Sequence, residues 1–263
     1  MTATEQAELH YEVSGEGPPV VLVHAGIADS RIWEPQWTSF PATHRTVRYD
    51  MRGFGASPLE PRSFSHGRDL MELLERLALG PAAVVGVSMG GQVALEVAVA
   101  RPDLVSALVL VGAGVPGHDW SDETRAGWAE EEAALERGDL DAAVEVNLRM
   151  WVDGPGRAPE DVDAAVRELV GTMQRRAFEL QLPVWDNAEE EPLVPDLAQR
   201  LDEIGVPTLI VVGAEDRPDI HAIADRLAAS IPHARRATIP AAAHVPSLER
   251  PDEFDSLVLE FLS

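Results

Sequence analysis

The chain of 263 residues contains neither cysteine nor lysine, and each absence excludes a kind of chemistry. Without cysteine there is no disulfide bond and no thiolate nucleophile. Without lysine there is no P-loop lysine to hold a phosphate, no amine for a Schiff base and no Ser–Lys dyad. All 21 basic residues are arginines, and 45 acidic residues outnumber them.

Positive charge is therefore scarce, and the formal net charge at pH 7 is −24. A chain this acidic repels the phosphates of nucleic acids and of anionic lipids, so we expect neither nucleic acid nor a membrane as a partner. Long apolar runs are also missing, since none approaches the ~20 residues that span a bilayer. Residues 1–8 are polar and lack the basic and apolar regions of a signal peptide. We therefore expect a cytoplasmic protein.

Short apolar runs alternate with segments of helical periodicity along most of the chain. Leu70, Leu73, Leu74 and Leu77, for example, share one face of a predicted helix. Helices of ten or more residues between strands imply a parallel sheet that is covered on both faces. We thus predict a mostly parallel, doubly wound α/β sheet. Its strands are expected at 20–23, 45–50, 82–87, 105–111 and 207–212, with another that ends near 240.

The pattern changes between about residues 114 and 205, where no strong β run occurs. We predict a helical lid at 114–205, inserted between two parts of one core at 1–113 and 206–263. The insertion holds two acidic runs, 130–132 and 189–191, which we interpret as solvated helix faces. We expect most of its tryptophans to pack between lid and core, with one or two lining a pocket. These are Trp120, Trp128, Trp151 and Trp185.

The segment Gly86–Gly91 has the pattern G-x-S-x-G, with Ser88 at its centre. It follows a predicted strand and precedes a predicted helix, which is the setting of a nucleophile elbow. In such a sharp turn the residues two before and two after the serine must be small. The Met89 N–H would then point toward a developing oxyanion at the positive end of the helix. The plain alternative is a glycine-rich turn with an ordinary serine.

A serine hydroxyl needs a base to remove its proton and a carboxylate to orient that base. For this elbow the expected order along the chain is serine, acid, histidine. Asp216 follows a predicted strand, and His244 lies in a loop after the next one. Both would lie at the carboxyl edge of the sheet, beside Ser88, where open α/β sheets bind ligands. Glu215 and Asp219 are the alternative acids.

These landmarks together resemble the α/β-hydrolase superfamily. They are His24–Gly26, Asp50–Ser57, the Ser88 elbow, Gly213–Asp216 and His244, and the resemblance extends from about residue 10 to 262 except for the lid. Two of them, Asp50–Ser57 and Gly86–Gly91, are most similar to enol-lactone hydrolases and small carboxylesterases. The resemblance implies an α/β-hydrolase fold with Ser88 as nucleophile, His244 as base and Asp216 as orienting acid, and no cofactor.

The resemblance also implies an oxyanion hole formed by the N–H of Met89 and a second N–H that matches Gly26. Most members have His-Gly where this chain has His24-Ala25, so Ile27 remains the alternative donor. His24 is expected to be a structural hydrogen-bonding residue. Asp50 and Arg52 are expected to hold their loop together rather than to act on substrate.

Two further patterns are interpreted as structural. Gly112–Gly117 matches G-x-G-x-x-G after a strand, but Pro116 interrupts the helix that a dinucleotide site requires. We interpret it as the entrance to the lid. The remaining histidines show no metal-ligand spacing, so we expect no metal site.

The sequence predicts a serine hydrolase that cleaves a small carboxylic ester or lactone through an acyl-enzyme. One alternative on the same residues is a carbon–carbon bond hydrolase or a cofactor-free perhydrolase, and another is a ligand-binding member with low turnover. The lid would exclude water and select the substrate. Its acidity argues against an anionic substrate unless an arginine lines the pocket, with Arg149, Arg175 and Arg176 as candidates. A homo-oligomer is left open.

Overall fold

A computed structural model describes residues 8–263, so most of the polar N-terminal segment considered above lies outside the described residues. Its centre is a seven-stranded sheet of order β1-β3-β2-β4-β5-β6-β7. All neighbouring strands are parallel except β1 and β3. The strands are β1 Tyr11–Ser14, β2 Pro19–Val23, β3 Arg45–Tyr49, β4 Ala82–Val87, β5 Val105–Val111, β6 Thr208–Gly213 and β7 Arg235–Ile239.

Helices connect and cover the strands, which confirms the predicted mostly parallel α/β architecture. Among residues 8–263, none of them combines the length and the apolar character needed to cross a bilayer. The α-helices are α1 Glu34–Ser39, α2 His66–Arg76, α3 Met89–Ala100, α4 Asp122–Glu136, α5 Leu140–Asn147, α6 Ala164–Gln181, α7 Pro218–Ser230, α8 Pro246–Glu249 and α9 Pro251–Leu262.

Burial explains why the central strands read as continuous apolar runs. Every residue of β4 and of β6 is buried, because helices cover both faces of the sheet. At the edges, β7 is mostly exposed and β1 alternates between exposed and half-buried residues. The sequence analysis did not predict β1, since this short strand lacks an apolar run.

The segment between β5 and β6 is helical, with α4, α5 and α6 and a π-helical turn at Leu148–Asp153. Trp151 is buried and Trp120 is half-buried against the core. Trp128 and Trp185 are exposed, at 37% and 60%, so the expectation that most tryptophans pack between lid and core is wrong. The exact limits of a lid, 114–205, stay a prediction.

The return from this helical segment is fastened to the core by a strap, residues 188–194. Phe64 N–H donates to the Glu189 carbonyl (2.9 Å), and Glu191 N–H donates to the Phe64 carbonyl (2.7 Å). Leu193 N–H donates to Oε2 of Glu96, a buried carboxyl on α3 (3.1 Å). Burial, with a smaller contribution from the nearby Glu190 carboxylate, raises the pKa of Glu96 to about 7, although the hydrogen bond from the Leu193 N–H opposes the rise.

The elbow glycines let α3 approach the sheet closely. A Cβ on Gly86 would lie 2.3 Å from the Gly90 carbonyl oxygen, and a Cβ on Gly90 would lie 2.4 Å from the Val23 carbonyl oxygen. Both contacts are with backbone, so neither is relieved by rotating a side chain. The expected need for small residues at 86 and 90 therefore has a specific steric cause.

We expect Gly86→Ala to lower the free energy of unfolding by about 1–3 kcal/mol, because the added methyl group must displace the turn. Gly205→Ala is the matched control, since a Cβ there meets open space. It should change stability by less than about 0.5 kcal/mol. Denaturant unfolding of the two variants tests this, and equal stabilities would contradict the steric argument.

Glu96 should make stability depend on pH in a specific direction. Its pKa is about 7 in the folded chain against an ordinary value of 4.5, so the folded state binds more protons between these values. Stability from this group is therefore lost as pH rises through that window, by about 3 kcal/mol.

Glu96→Gln keeps an acceptor for Leu193 N–H and cannot ionise. Its stability relative to the parent chain should therefore increase between pH 4.5 and pH 8, as measured by denaturant unfolding at each pH. Glu260→Gln, at an exposed position of α9, should give a difference that hardly varies with pH. If the stability difference between Glu96→Gln and the parent chain also does not vary with pH, then the fold does not raise the pKa of Glu96.

Candidate active site

Ser88 lies between β4 and α3 in a strained backbone conformation, with φ 55° and ψ −115°. Three neighbouring segments hold it there. Its N–H donates to the Val111 carbonyl (2.8 Å), and its own carbonyl accepts from the N–H groups of Gly91 (3.0 Å) and Gly114 (3.1 Å). A non-glycine residue in this region costs about 1–3 kcal/mol and persists only where the surroundings enforce it.

The hydroxyl of Ser88 is not used for capping its helix. Serine at the N-cap position usually accepts a hydrogen bond from the first turn of the helix. Ser88 holds that position in α3 and makes no such side-chain bond. The hydroxyl of this half-buried residue is therefore not occupied by a hydrogen bond to its own helix.

His244 is oriented by Asp216. Its Nδ1 donates to Oδ2 of Asp216 at 2.8 Å, and the two side chains are only 2% and 1% exposed. The His244 backbone N–H donates to the Trp151 carbonyl (3.2 Å), and the two rings lie 4.7 Å apart. With its proton on Nδ1, the imidazole presents a lone pair at Nε2, which is the form that acts as a general base.

The end of β5 brings Ser88 and this pair together. Ser88 bonds to Val111, and a Cβ on the next residue, Gly112, would lie 3.0 Å from Nδ1 of His244 and 3.3 Å from Oδ2 of Asp216. Gly112 thus leaves the space that the imidazole occupies. The hydrogen bonds of residues 8–263 include none between the Ser88 hydroxyl and Nε2 of His244. Such bonds are often long before substrate binds.

The three candidate acids have different surroundings. Asp216 reaches His244 and also accepts the Arg217 N–H (2.8 Å), whereas Glu215 is exposed. Asp219 accepts hydrogen bonds from Ser121 and Thr124 at the start of α4 (both 2.7 Å). Burial opposes ionisation of Asp219, but these bonds outweigh it and lower its pKa to about 2. Asp219 therefore fastens α4 to α7.

Met89 and Gly26 lie next to each other, as the predicted oxyanion hole requires. Met89 begins α3, and a Cβ on Gly26 would lie 3.6 Å from the Met89 sulfur. Gly26 is half-buried and Ile27 is buried. The choice between their two N–H groups as second donor remains a prediction.

His24 and Asp50 hold the loops around this site. The Met51 N–H donates to Nε2 of His24 (2.9 Å), and Nδ1 of His24 donates to the Ala25 carbonyl (2.8 Å). Burial lowers the pKa of His24 and keeps it neutral. The Asp50 carboxylate accepts the N–H groups of Ser30 and Ala56, each at 2.8 Å. Both side chains therefore have structural partners.

The helical segment between β5 and β6 and the histidine loop are joined by a half-buried ion pair that the sequence did not indicate. Arg157 lies 2.7 Å from Oε2 of Glu249, whose Oε1 accepts the Ala243 N–H (2.8 Å). Arg157 also donates to the carbonyls of Val152 and Asp153 in the π-helical turn. Spacing alone could not reveal the pair, because 92 residues separate its members.

Of the three arginines proposed to line a pocket, Arg175 and Arg176 line a cavity of about 550 Å³ beside Asp50, and all three have partners of their own. Arg149 pairs with Glu130 (2.5 Å), and Arg175 pairs with Asp141. Arg176 donates to the Gly55 carbonyl (3.2 Å). None of these contacts is with a residue of the site described above.

A cleft of about 380 Å³ adjoins Met89 between the core and the helical segment. Its walls are mainly aromatic and aliphatic, with polar residues at one end, and one contact across it joins Gln181 Nε2 to the Gly53 carbonyl (3.1 Å). In the part of the chain that the structure describes, no group of three or more His, Cys, Asp or Glu residues is arranged to hold a metal.

Comparison with known proteins agrees with this geometry. A family model described as the alpha/beta hydrolase fold matches residues 18–251. A protein of Azorhizobium caulinodans, provisionally named carbamate hydrolase RutD, is 29% identical over 97% of this chain and 95% of its own. The pimeloyl-[acyl-carrier protein] methyl ester esterase of Nitrosospira multiformis is 27% identical over 97% and 98%.

The solved structure of Est816, described as an N-acyl homoserine lactone degrading enzyme, superposes with a TM-score of 0.74. It is 26% identical in sequence, and the match covers 96% of each chain. The sheet order, the strained serine turn and the matched family model all agree. The chain belongs to the α/β-hydrolase fold family and is a hydrolase.

Proposed function

We propose that the chain hydrolyses a small carboxylic ester or lactone, with Ser88 as nucleophile, His244 as general base and Asp216 as orienting acid. The observation that carries the proposal is the buried 2.8 Å bond between Asp216 and His244, beside a serine whose hydroxyl is not used as a helix cap. The base is therefore held in one tautomer next to the turn that presents the nucleophile.

In the first half of the reaction, Nε2 of His244 takes the Ser88 proton as Oγ bonds to the substrate carbonyl carbon. The carbonyl electron pair moves onto oxygen, where the N–H of Met89 and that of Gly26 or Ile27 stabilise the negative charge. One such donor is typically worth about 100–1000-fold in rate. Collapse breaks the bond to the alkoxy group, which leaves with the proton from His244.

In the second half, His244 takes a proton from water as the oxygen attacks the acyl-enzyme. Collapse of this second adduct releases the carboxylic acid and returns a proton to Ser88. With a lactone the alkoxy group stays attached to the acyl group, so the product is a single hydroxy acid. The same residues thus serve both kinds of substrate.

The relatives support both bond types, since one is named as a methyl ester esterase and another as a lactone degrading enzyme. A carbon–carbon bond hydrolase, a perhydrolase and a low-turnover binding protein remain alternatives. Comparing turnover of simple nitrophenyl esters with that of a vinylogous diketone separates the first of these. Absence of fluorophosphonate labelling would favour the last. A cytoplasmic location, a small-molecule partner and a homo-oligomer also stay predictions.

Ser88→Ala should lower kcat/KM on an ester and lactone panel by at least about 1000-fold, because the nucleophile is lost. Fluorophosphonate labelling should be lost with it. Ser256→Ala, at an exposed position of α9, is the control and should keep both properties. Hydrolysis at the parent rate by Ser88→Ala would remove the mechanism.

Asp216→Asn should lower kcat on the order of 10⁴-fold, because an amide can hold His244 in the wrong tautomer. Glu215→Gln should leave kcat within about threefold, since Glu215 is exposed. Asp219→Asn should lower the melting temperature through its lost bonds to α4 while kcat of the folded protein changes much less. A larger loss of kcat in Asp219→Asn than in Asp216→Asn would reverse the assignment of the acid.

A further inference from the structure

His66, the first residue of α2, has a buried nitrogen without a partner. The residue is 3% exposed, and among residues 8–263 nothing forms a hydrogen bond with its Nδ1. Buried polar atoms nearly always have a partner, so an unpaired one needs an explanation. The mechanism proposed above makes no use of this side chain.

The imidazole of His66 lies among aromatic rings. The Phe64 ring is 5.0 Å away in an edge contact, and the Phe54 ring is 6.2 Å away. Burial, together with the nearby positive charge of Arg52, lowers the pKa of His66 to about 3. The side chain is therefore neutral at physiological pH, with one ring nitrogen as a donor and the other as an acceptor.

His66 lines the 380 Å³ cleft that also contains Met89, the residue after the proposed nucleophile. Phe54, Leu59 and Phe64 form much of the remaining wall. The volume lies at the lower end of the range for small-molecule sites, and a mainly apolar wall with a few polar groups is typical of them. The cleft therefore adjoins the Ser88 turn at Met89.

The charge of the cleft comes from the strap. Glu189 and Glu190 line it and are exposed, and the ion pairs within residues 8–263 include none to either. Arg52 also lines the cleft, but its guanidinium is bound to the Asp69 carboxylate at 2.8 and 3.0 Å. A carboxylate entering the cleft would meet like charges without a free arginine.

We propose that this cleft is the subsite for the larger substituent of the substrate, that it takes an uncharged ring whose hydroxyl or carbonyl group hydrogen-bonds to His66, and that Glu189 and Glu190 exclude carboxylates from it. The inference rests on the proposed ester or lactone hydrolysis and names its substrate class. It makes His66 a binding residue that sets specificity.

The test uses two matched ester series, phenyl acetates and methyl phenylacetates, which place the ring on the alcohol or the acyl side. Each ring carries hydrogen, hydroxymethyl or carboxylate at the meta position. In at least one series, kcat/KM should favour hydroxymethyl over hydrogen by about three- to tenfold, as one hydrogen bond allows. In that series the carboxylate should be slower than hydrogen by at least about tenfold.

His66→Phe should reduce the ratio of hydroxymethyl to hydrogen to about one. The double variant Glu189→Gln, Glu190→Gln should raise the ratio of carboxylate to hydrogen by about fivefold or more. Glu260→Gln, far from the cleft, is the control and should change neither ratio. Should His66→Phe not fold, His66→Leu, which also lacks a hydrogen-bonding group, and the ratios of the parent chain carry the same test.

The proposal is overturned if the parent chain shows no preference for hydroxymethyl in either series, or if His66→Phe retains that preference. It is also overturned if the carboxylate compounds are hydrolysed as fast as the hydrogen compounds. Each of these outcomes is a ratio of kcat/KM values between esters that the protein does hydrolyse. They are therefore distinct from a failure of the proposed ester hydrolysis itself. That failure would appear as undiminished activity of Ser88→Ala.

Discussion

The strained backbone of Ser88 is the constraint on which the rest of the site depends. Gly86 and Gly90 pack tightly against backbone atoms, so the turn between β4 and α3 has no room for a larger residue at either position. The Ser88 N–H donates to the Val111 carbonyl and the Ser88 carbonyl accepts the Gly114 N–H, which ties the turn to the end of β5 and to the start of the helical segment. The conformational strain at Ser88 is thus offset by its interactions with a parallel sheet that is buried on both faces.

Much of the fold and part of the site could be predicted from sequence because the signals are local. The elbow pattern, the apolar strands and the final helix each lie within a few consecutive residues, and the structure has these elements at the expected places. The orienting acid could not be predicted in the same way from a local pattern. Asp216 and Glu215 are adjacent and chemically alike, so the direction of each side chain separates them, and direction comes from the Gly213 turn and α7.

Other features depend on contacts between distant segments. Gly112 belongs to a glycine pattern that looks like a nucleotide site, yet it provides room for His244, which comes 132 positions later. β1 has no apolar run and pairs at an edge of the sheet. Trp185 is exposed in the 3₁₀ segment Leu182–Asn187, none of whose residues is buried, although its side chain is hydrophobic. Nor could spacing show that the His66 imidazole would lie unpaired beside a cleft.

The π-helical turn links the helical segment to the loop of His244, so changes in one affect the other. Its Trp151 carbonyl holds the backbone of His244, and Arg157 bridges it to Glu249 on the far side of the same loop. A chimaera that receives the helical segment of a relative would therefore acquire new contacts to the loop of His244 together with a new cover over the proposed substrate site. Substrate selectivity and the position of the imidazole would change together in such a chimaera, which ties the evolution of one to the other.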